Sequence, residues 1–203
     1  MAERKRREFS RRQPVRSYRK LYVIATEGAE TEPEYFRMFQ SKTATILLKI
    51  IDSRHDSSPR QVLKRVEQYM AKESLKRSDA VWLVLDRDTW EEEELNEVWN
   101  GCQGNHLHLA LSNPCFEYWI LLHFENGSGV SSKNTCLERL IHYLPNFAKK
   151  HVEIEKLRPN IQTAITHAKQ KDIPPCTDWP HGNGSTVYRL VQELISMEGV
   201  RNS

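Results

Sequence analysis

Four short apolar segments, each followed by a helical pattern, constrain the fold more than any other feature of the chain. The segments are rich in Val, Ile and Leu and show little polar alternation, which is typical of strands covered by helices on both faces. Because strand and helix patterns alternate, the sequence predicts an α/β fold with a parallel sheet flanked by helices. The predicted strands cover residues 21–26, 44–51, 81–85 and 106–111.

Helical patterns fill the segments between and after these strands. We expect helices to start near Thr31, at Pro59 behind a Ser58 cap, and near Trp90. A fourth should cover residues 113–124, with Ser112 or Asn113 as its cap and Pro114 in its first position. Residues 131–203 show helical patterns and no convincing strand, and Ser185 or Thr186 should cap the last helix. The chain thus divides into an arm (1–20), an α/β core (21–125) and a helical C-terminal extension packed on the core (126–203).

Positive charge is concentrated in the first twenty residues. They hold nine Lys or Arg and two Glu, a net charge of +7, whereas the whole chain carries +3. Such an arm is typical of contact with nucleic-acid phosphates, although a solubilising tail or a partner-binding arm has the same composition. The residues expected to bind nucleic acid are Arg4, Lys5, Arg6, Arg7, Arg11, Arg12 and Arg16.

Other compositional features exclude several classes of protein. No apolar run approaches the roughly 18 residues that span a bilayer, and the first twenty residues are too basic for a secretory signal. We therefore expect a cytoplasmic protein with no membrane partner. The four cysteines are widely spaced and form no CxxC pair, which favours reduced, packed thiols over zinc or a disulfide framework.

Acidic side chains follow two of the predicted strands. Glu27 ends the first strand, and Asp86 and Asp88 end the third, where an extended backbone would turn both aspartates to the same side. Carboxylates at the carboxyl ends of neighbouring parallel strands converge, and such oxygen ligands suit Mg²⁺ or Mn²⁺. Glu117 lies close behind the fourth strand. The alternatives are an exposed acidic turn for the aspartates and an ordinary first-turn acid for Glu117.

Several longer stretches resemble the RloB family, whose members are encoded in prokaryotic defence or restriction neighbourhoods, often beside an AAA-type ATPase. The resemblance runs from about residue 18 to 194 and is most specific in SNPCFEYWILLHFE. The matching stretches are EGAETEPEYF (27–36), LDRD (85–88), SNPCFEYWILLHFE (112–125) and STVYRLV (185–191).

The family is similar to Toprim domains, which implies a Toprim-like Rossmannoid sheet and phosphodiester chemistry. The resemblance implies that Glu27, Asp86 and Asp88 bind Mg²⁺ or Mn²⁺. It assigns Glu32 and Glu117 as further acids of the site. The implied activity is metal-dependent hydrolysis of RNA, such as tRNA, or of DNA, with Arg87 or the arm holding phosphates and an AAA-type ATPase as possible partner. The oligomeric state stays open.

Two rival interpretations remain. LDRDT also fits the DxDxT motif of haloacid-dehalogenase-like phosphatases, with Asp86 as nucleophile, Asp88 as acid or base and Ser112 as a phosphate contact. That motif leaves Glu27 unexplained, and no apolar strand ending in paired acids follows residue 125. A non-catalytic nucleic-acid-binding or sensor subunit is the stronger rival. The histidines His106, His108 and His123 are interpreted as structural.

Overall fold

The computed structural model describes residues 20–40, 46–51, 58–88, 90–148 and 150–199. The predicted phosphate-binding residues of the arm lie outside these ranges, so their role stays a prediction. These residues are Arg4, Lys5, Arg6, Arg7, Arg11, Arg12 and Arg16.

A five-stranded sheet forms the centre of the molecule. Its spatial order is β2-β1-β3-β4-β5, and the first four strands run parallel, whereas β5 pairs antiparallel with β4. The predicted α/β class, with a mostly parallel sheet flanked by helices, is therefore confirmed. The strands are β1 (Lys20–Thr26), β2 (Ile46–Ile51), β3 (Ala80–Asp86), β4 (His108–Asn113) and β5 (Gly184–Ser185).

Helices cover both faces of this sheet. The helices are α1 (Thr31–Arg37), α2 (Pro59–Lys72), α3 (Glu92–Gly104), α4 (Phe116–Leu121), α5 (Lys133–Tyr143), α6 (Ile154–Leu157), α7 (Ile161–Lys171) and α8 (Val187–Gly199). Helix α2 begins with Ser58 in the cap position and Pro59 behind it, as predicted. None of the described helices is both long and apolar enough to cross a membrane.

Alternate residues of the strands supply two hydrophobic layers. In β1, Tyr22 and Ile24 pack under α1, α4, α5, α7 and α8, whereas Val23 and Ala25 pack under α2 and α3. Strand β3 is buried along its whole length. This two-sided burial explains why the strands lack polar alternation, because neither face meets water.

The chain around β4 differs from its prediction. The strand begins at His108, not at residue 106, because His106 has a φ of +55° and lies in the turn that follows α3. His108 stacks on Trp82 with 4.7 Å between ring centroids. Helix α4 begins only at Phe116, and Cys115 is its cap. Neither Ser112 nor Asn113 can cap it, because both still belong to β4 and pair with β5.

Strand β5 corrects the expectation that no strand follows residue 125. Its two residues carry no apolar periodicity, so the sequence gives no strand signal there. The hydroxyl groups of Ser112 and Ser185 lie 2.8 Å apart across this pairing, and both side chains are buried. Ser185 Oγ accepts the Val187 N–H at the start of α8, whereas Thr186 Oγ1 accepts the Leu111 N–H of β4.

His123 and the cysteine side chains have structural roles in the fold. His123 is buried, its Nε2 lies 3.2 Å from the Tyr35 hydroxyl, and its Nδ1 lies 3.1 Å from the Trp119 carbonyl oxygen. Burial lowers the pKa of His123 to about 4, so the ring is neutral and packed, as predicted. All four cysteines are free thiols, and three of them are buried.

Two glycines shape the loop between α4 and α5. Gly127 and Gly129 have φ angles of +66° and +75°, in the left-handed region that disfavours side chains. A Cβ at Gly127 would also lie 2.5 Å from the Tyr118 hydroxyl oxygen, whereas a Cβ at Gly129 would meet only Arg139 Nη1, at 3.9 Å. An alanine at either position would therefore have an unfavourable backbone conformation, and at Gly127 it would also overlap a side chain.

We expect Gly129→Ala to lower the free energy of unfolding by about 1–2 kcal/mol, the cost of a left-handed residue with a side chain. Gly127→Ala should cost at least about 1 kcal/mol more, because the new methyl group overlaps Tyr118. Urea unfolding of both variants measures the difference. Equal destabilisation would mean that the loop relaxes away from Tyr118.

Candidate metal centre at the carboxyl edge of the sheet

The predicted acids of the chain meet at the carboxyl edge of the sheet. Strand β1 pairs directly with β3, so Glu27, which follows β1, lies beside Asp86, the last residue of β3. They share a cavity of about 340 Å³ with the other predicted acids and one lysine. Six acids and one lysine line it. Glu30 pairs with the exposed Lys150; the other five acids and the lysine are Glu27, Glu32, Asp86, Asp88, Glu117 and Lys133.

Glu27 is held by two hydrogen bonds from the neighbouring strand and loop. Its carboxylate accepts the Asp86 backbone N–H and the Trp90 indole N–H, each at 3.1 Å. Burial, together with the negative charges of Glu32 and Asp88, raises the pKa of Glu27 to about 7 and outweighs these two bonds, which lower it. Glu27 thus exchanges a proton near neutral pH.

Glu32 folds back from the first turn of α1 onto the loop after β1. Its carboxylate accepts the Gly28 N–H at 3.0 Å, and the residue is buried. A Cβ at Gly28 would overlap that carboxylate, so a larger residue there would push the Glu32 side chain out of this bond. Burial and the charge of Glu117 raise the pKa of Glu32 above its ordinary value.

The surroundings of Asp86 strongly oppose the ionisation of its carboxyl group. Its side chain is buried, and its Oδ1 has no hydrogen-bond partner among the residues that the structure describes. Burial raises the pKa of Asp86 well above its usual range, and the charges of Glu32, Glu27 and Glu117 raise it further. An ionised Asp86 therefore needs a positive charge beside it.

Asp88 reaches the cavity by a different route from the one predicted. Strand β3 ends at Asp86, and Asp88 lies in a turn with a φ of +34° rather than in an extended segment. The turn is fixed because the Arg87 N–H donates to the Ser112 carbonyl at 2.8 Å and the Asp88 N–H to the Pro114 carbonyl at 2.9 Å. Asp88 is exposed and faces the cavity, whereas Arg87 does not line it.

The cavity also contains Lys133, which the sequence did not single out. Lys133 is the first residue of α5, behind the Ser132 cap, and its Nζ lies 3.5 Å from Asp88 Oδ2. Burial disfavours its charge, but Asp86, Glu117 and Asp88 raise the pKa of Lys133 above its ordinary value. A single lysine after a polar loop does not stand out in the sequence. Only Ser132, a residue type that often caps helices, indicates that a helix begins there.

The chemistry of the site follows from this excess of carboxylates. The carboxylates of these acids offer the hard oxygen donors that Mg²⁺ and Mn²⁺ take, and Lys133 adds one positive charge. Among the described residues, however, no three or more Asp, Glu, His or Cys side chains are already arranged around one ion position. The carboxylates of Glu27 and Glu32 instead accept hydrogen bonds from N–H groups of the protein.

Without a divalent ion, the free energy of unfolding should fall as the pH rises from about 5 to about 7. The unfolded chain ionises Glu27 near its ordinary pKa of 4.5, whereas the folded protein keeps that proton until about pH 7. The folded state binds more protons across this window, so raising the pH destabilises it. Thermal melting in EDTA across this range measures the fall, at about 2–4 °C per kcal/mol.

Asp86→Asn should reduce this fall and raise the melting temperature at pH 8, because it removes the buried charge that the other acids oppose. Glu93→Gln is the matched control, since Glu93 is an exposed acid in the first turn of α3. It should keep the wild-type pH dependence. A wild-type pH dependence in Asp86→Asn would refute the electrostatic account.

Comparison with known proteins supplies a family. The model of the RloB-like protein family matches residues 22–194, which is most of the chain. Searches of curated proteins and of solved structures gave no match. The matched region runs from β1 into α8 and contains all seven ionisable groups that line the cavity. The chain therefore belongs to the RloB-like family.

Proposed function

We propose that the protein is a metal-dependent nuclease that hydrolyses phosphodiester bonds in RNA, such as tRNA, or in DNA. The observation that carries this proposal is the buried Asp86 carboxylate, whose Oδ1 has no partner among the described residues. Three further acids raise its pKa through their charges. The Toprim resemblance of Glu27, Asp86 and Asp88 supports the same activity.

The acids fit a bound Mg²⁺ or Mn²⁺ better than any other group. Several buried carboxylates in one cavity repel each other, and a divalent cation offsets that repulsion directly. We assign Glu27, Glu32, Asp86 and Asp88 as the residues that hold the ion. Binding would displace protons from Glu27 and Asp86, whose raised pKa values make the site's affinity depend on pH.

The ion would polarise the scissile phosphate and make an attacking water more acidic. The protein's own residues complete the site. Glu117, which is buried in the first turn of α4 and lines the cavity, would orient the water and take up its proton. Lys133 would turn from Asp88 to an oxygen of the phosphate once the ion neutralises the acids. Arg87 and the arm would hold neighbouring phosphates.

The RloB-like family supplies the setting of this proposal. We infer a role in antiphage defence, with an AAA-type ATPase as partner that gates the nuclease. Gating fits the site as it stands, because Glu27 and Glu32 are bonded to the chain and must turn before three carboxylates meet one ion. Cleavage by the isolated chain and by the chain with its ATPase compares the two states.

A non-catalytic nucleic-acid-binding subunit is the second candidate. The lack of a preformed group of three ligands among the described side chains favours it. The phosphatase alternative has less support, because the Ser112 hydroxyl is buried against Ser185 and does not line the acidic cavity.

Purified protein with Mg²⁺ or Mn²⁺ should cleave total tRNA or plasmid DNA. Asp86→Ala should lower the rate by at least about 100-fold, because changes outside the ligand shell of a metal already cost about 10–100-fold. Mg²⁺ at about one hundred times its Kd should stabilise the wild type by about 2.7 kcal/mol. Gel assays and thermal melting measure the two effects.

Glu93→Gln is the control for both measurements and should behave as the wild type. Nucleic-acid binding without cleavage, with or without the ATPase, would favour the non-catalytic subunit. Turnover of a phosphomonoester alone would favour the phosphatase.

Lys133→Ala should separate cleavage from metal binding. Loss of one positioned group on the phosphate should lower kcat about 100-fold. Mg²⁺ should bind as tightly as before or more tightly, because Lys133 no longer neutralises Asp88 and Asp86. Calorimetric titration with Mg²⁺ and the cleavage rate measure the two quantities.

Lys150→Ala is the matched control, since Lys150 pairs with Glu30 of the same cavity at 3.3 Å but is largely exposed. It should change the cleavage rate little. A Lys133→Ala variant that loses metal binding would mean that Lys133 only maintains the shape of the site.

A further inference from the structure

A second polar cavity opens at the same edge of the sheet. It has a volume of about 160 Å³ and lies against the loop that joins α7 to β5, residues 172–183. Lys171, His181, Gly182 and Asn183 line it together with the start of β5. Neither the acidic site nor the packing of the core accounts for it.

Strand pairing fixes the distance between the two cavities. Asp86 pairs with Ser112 in the next strand, and Ser112 pairs with Ser185, which lines the second cavity. Neighbouring strands lie about 4.8 Å apart, so the backbones of Asp86 and Ser185 are separated by about 10 Å. A short stretch of nucleic acid can therefore reach both cavities.

The loop that precedes Lys133 connects the two cavities. The Asn183 side-chain amide donates to the Val130 carbonyl oxygen, and Lys171 Nζ lies 3.2 Å from Ser128 Oγ. Both acceptors belong to the loop that leads into Lys133, which lines the acidic cavity. The loop of the second cavity is also anchored from below, because Trp179 is buried in the layer under α2 and α3. The position of the second cavity is thus built into the fold.

The second cavity lacks the excess of carboxylates that marks the first. Its buried acid, Asp172, already accepts bonds from the Arg189 guanidinium at 2.7 Å, the Tyr188 hydroxyl at 2.8 Å and the Cys176 N–H at 2.7 Å. These bonds lower the pKa of Asp172 against the effect of burial, so its charge is compensated. Lys171 and His181 are exposed at the rim, where His181 Nε2 lies 3.1 Å from Asp178 Oδ2. Lys171 is therefore the lining side chain whose charge no carboxylate of the described residues offsets.

The space in front of Gly182 is open. A Cβ built on Gly182 would meet no atom within 4 Å, so a ligand can approach the backbone closely there. The volume is below the range of about 300–1,000 Å³ that is usual for drug-sized ligands. One phosphate group with part of its sugar is a ligand of suitable size and charge.

We propose that this cavity binds the backbone phosphate of a nucleotide next to the one that is cleaved. The inference rests on the proposed nuclease function, because the acidic cavity would hold the scissile phosphate. A strand lying across five carboxylates is repelled unless its flanking phosphates meet positive charge elsewhere. Lys171 provides that charge on the β5 side of the acids, and the His181 ring lies beside it.

The test measures binding without cleavage. Full-length Asp86→Asn protein is titrated with fluorescent single-stranded RNA and DNA oligonucleotides over a range of KCl concentrations. Adding Lys171→Ala and His181→Ala should weaken affinity about tenfold at low salt. The slope of log K against log[KCl] should become shallower by about 0.7, the value for one lost phosphate contact on a single strand.

Lys64→Ala with His142→Ala is the matched control, because both residues are exposed and line neither cavity. It should leave the affinity and the slope unchanged. Equal slopes in the test and control proteins would overturn the proposed phosphate site, as would failure of the Asp86→Asn protein to bind either oligonucleotide.

Cleavage by proteins that retain Asp86 separates this inference from the nuclease proposal. Lys171→Ala with His181→Ala should raise KM about tenfold. If the wild type cleaves but this KM is unchanged, the phosphate site is wrong and the nuclease proposal stands. If the wild type does not cleave with or without the ATPase but the salt slope still falls, the cavity binds a backbone phosphate and the nuclease proposal is wrong.

Discussion

The carboxyl group of Asp86 lies at the end of a strand that is buried along its whole length, and the surrounding site depends on how its charge is balanced. Burial and three neighbouring acids all oppose its ionisation. Within the described residues, two groups partly offset the negative charge of the site. Lys133 lies near Asp88, and the Trp90 indole donates a hydrogen bond to Glu27. The remaining negative charge is neutralised by protons that the acids retain or, in our proposal, by a divalent ion.

The order of the strands brings these groups together. Because β1 and β3 are neighbours and β4 follows, acids from residues 27, 86 and 117 collect at one edge, although they are widely separated in the chain. Strand β5 then closes the other side of β4 and carries the second cavity. In our proposal, a divalent ion in the acidic centre meets the phosphate that is cleaved, and Lys171 in the second cavity meets its neighbour.

The strands and the acids could be predicted because their signals are local. Buried parallel strands show as apolar runs, and acids directly after such runs fall at the carboxyl edge. Lys133, β5 and the turn at Asp88 could not be predicted, because each depends on distant partners. Lys133 matters only through carboxylates that lie far from it in the chain, and Gly184–Ser185 is a strand only because β4 offers a free edge. The start of α4 was placed too early for the same reason, since pairing with β5 keeps Asn113 in the strand.

The bond between the Trp90 indole and the Glu27 carboxylate also couples the site to an optical signal. Indole emission responds to nearby charge and to the loss of a hydrogen bond. Trp90 is partly exposed, as is Trp99 of α3, whereas Trp82, Trp119 and Trp179 are buried. Any event that changes the charge of Glu27 or turns it away changes the surroundings of this ring. The protein thus carries its own fluorescent reporter of the state of its acidic centre, with no label attached.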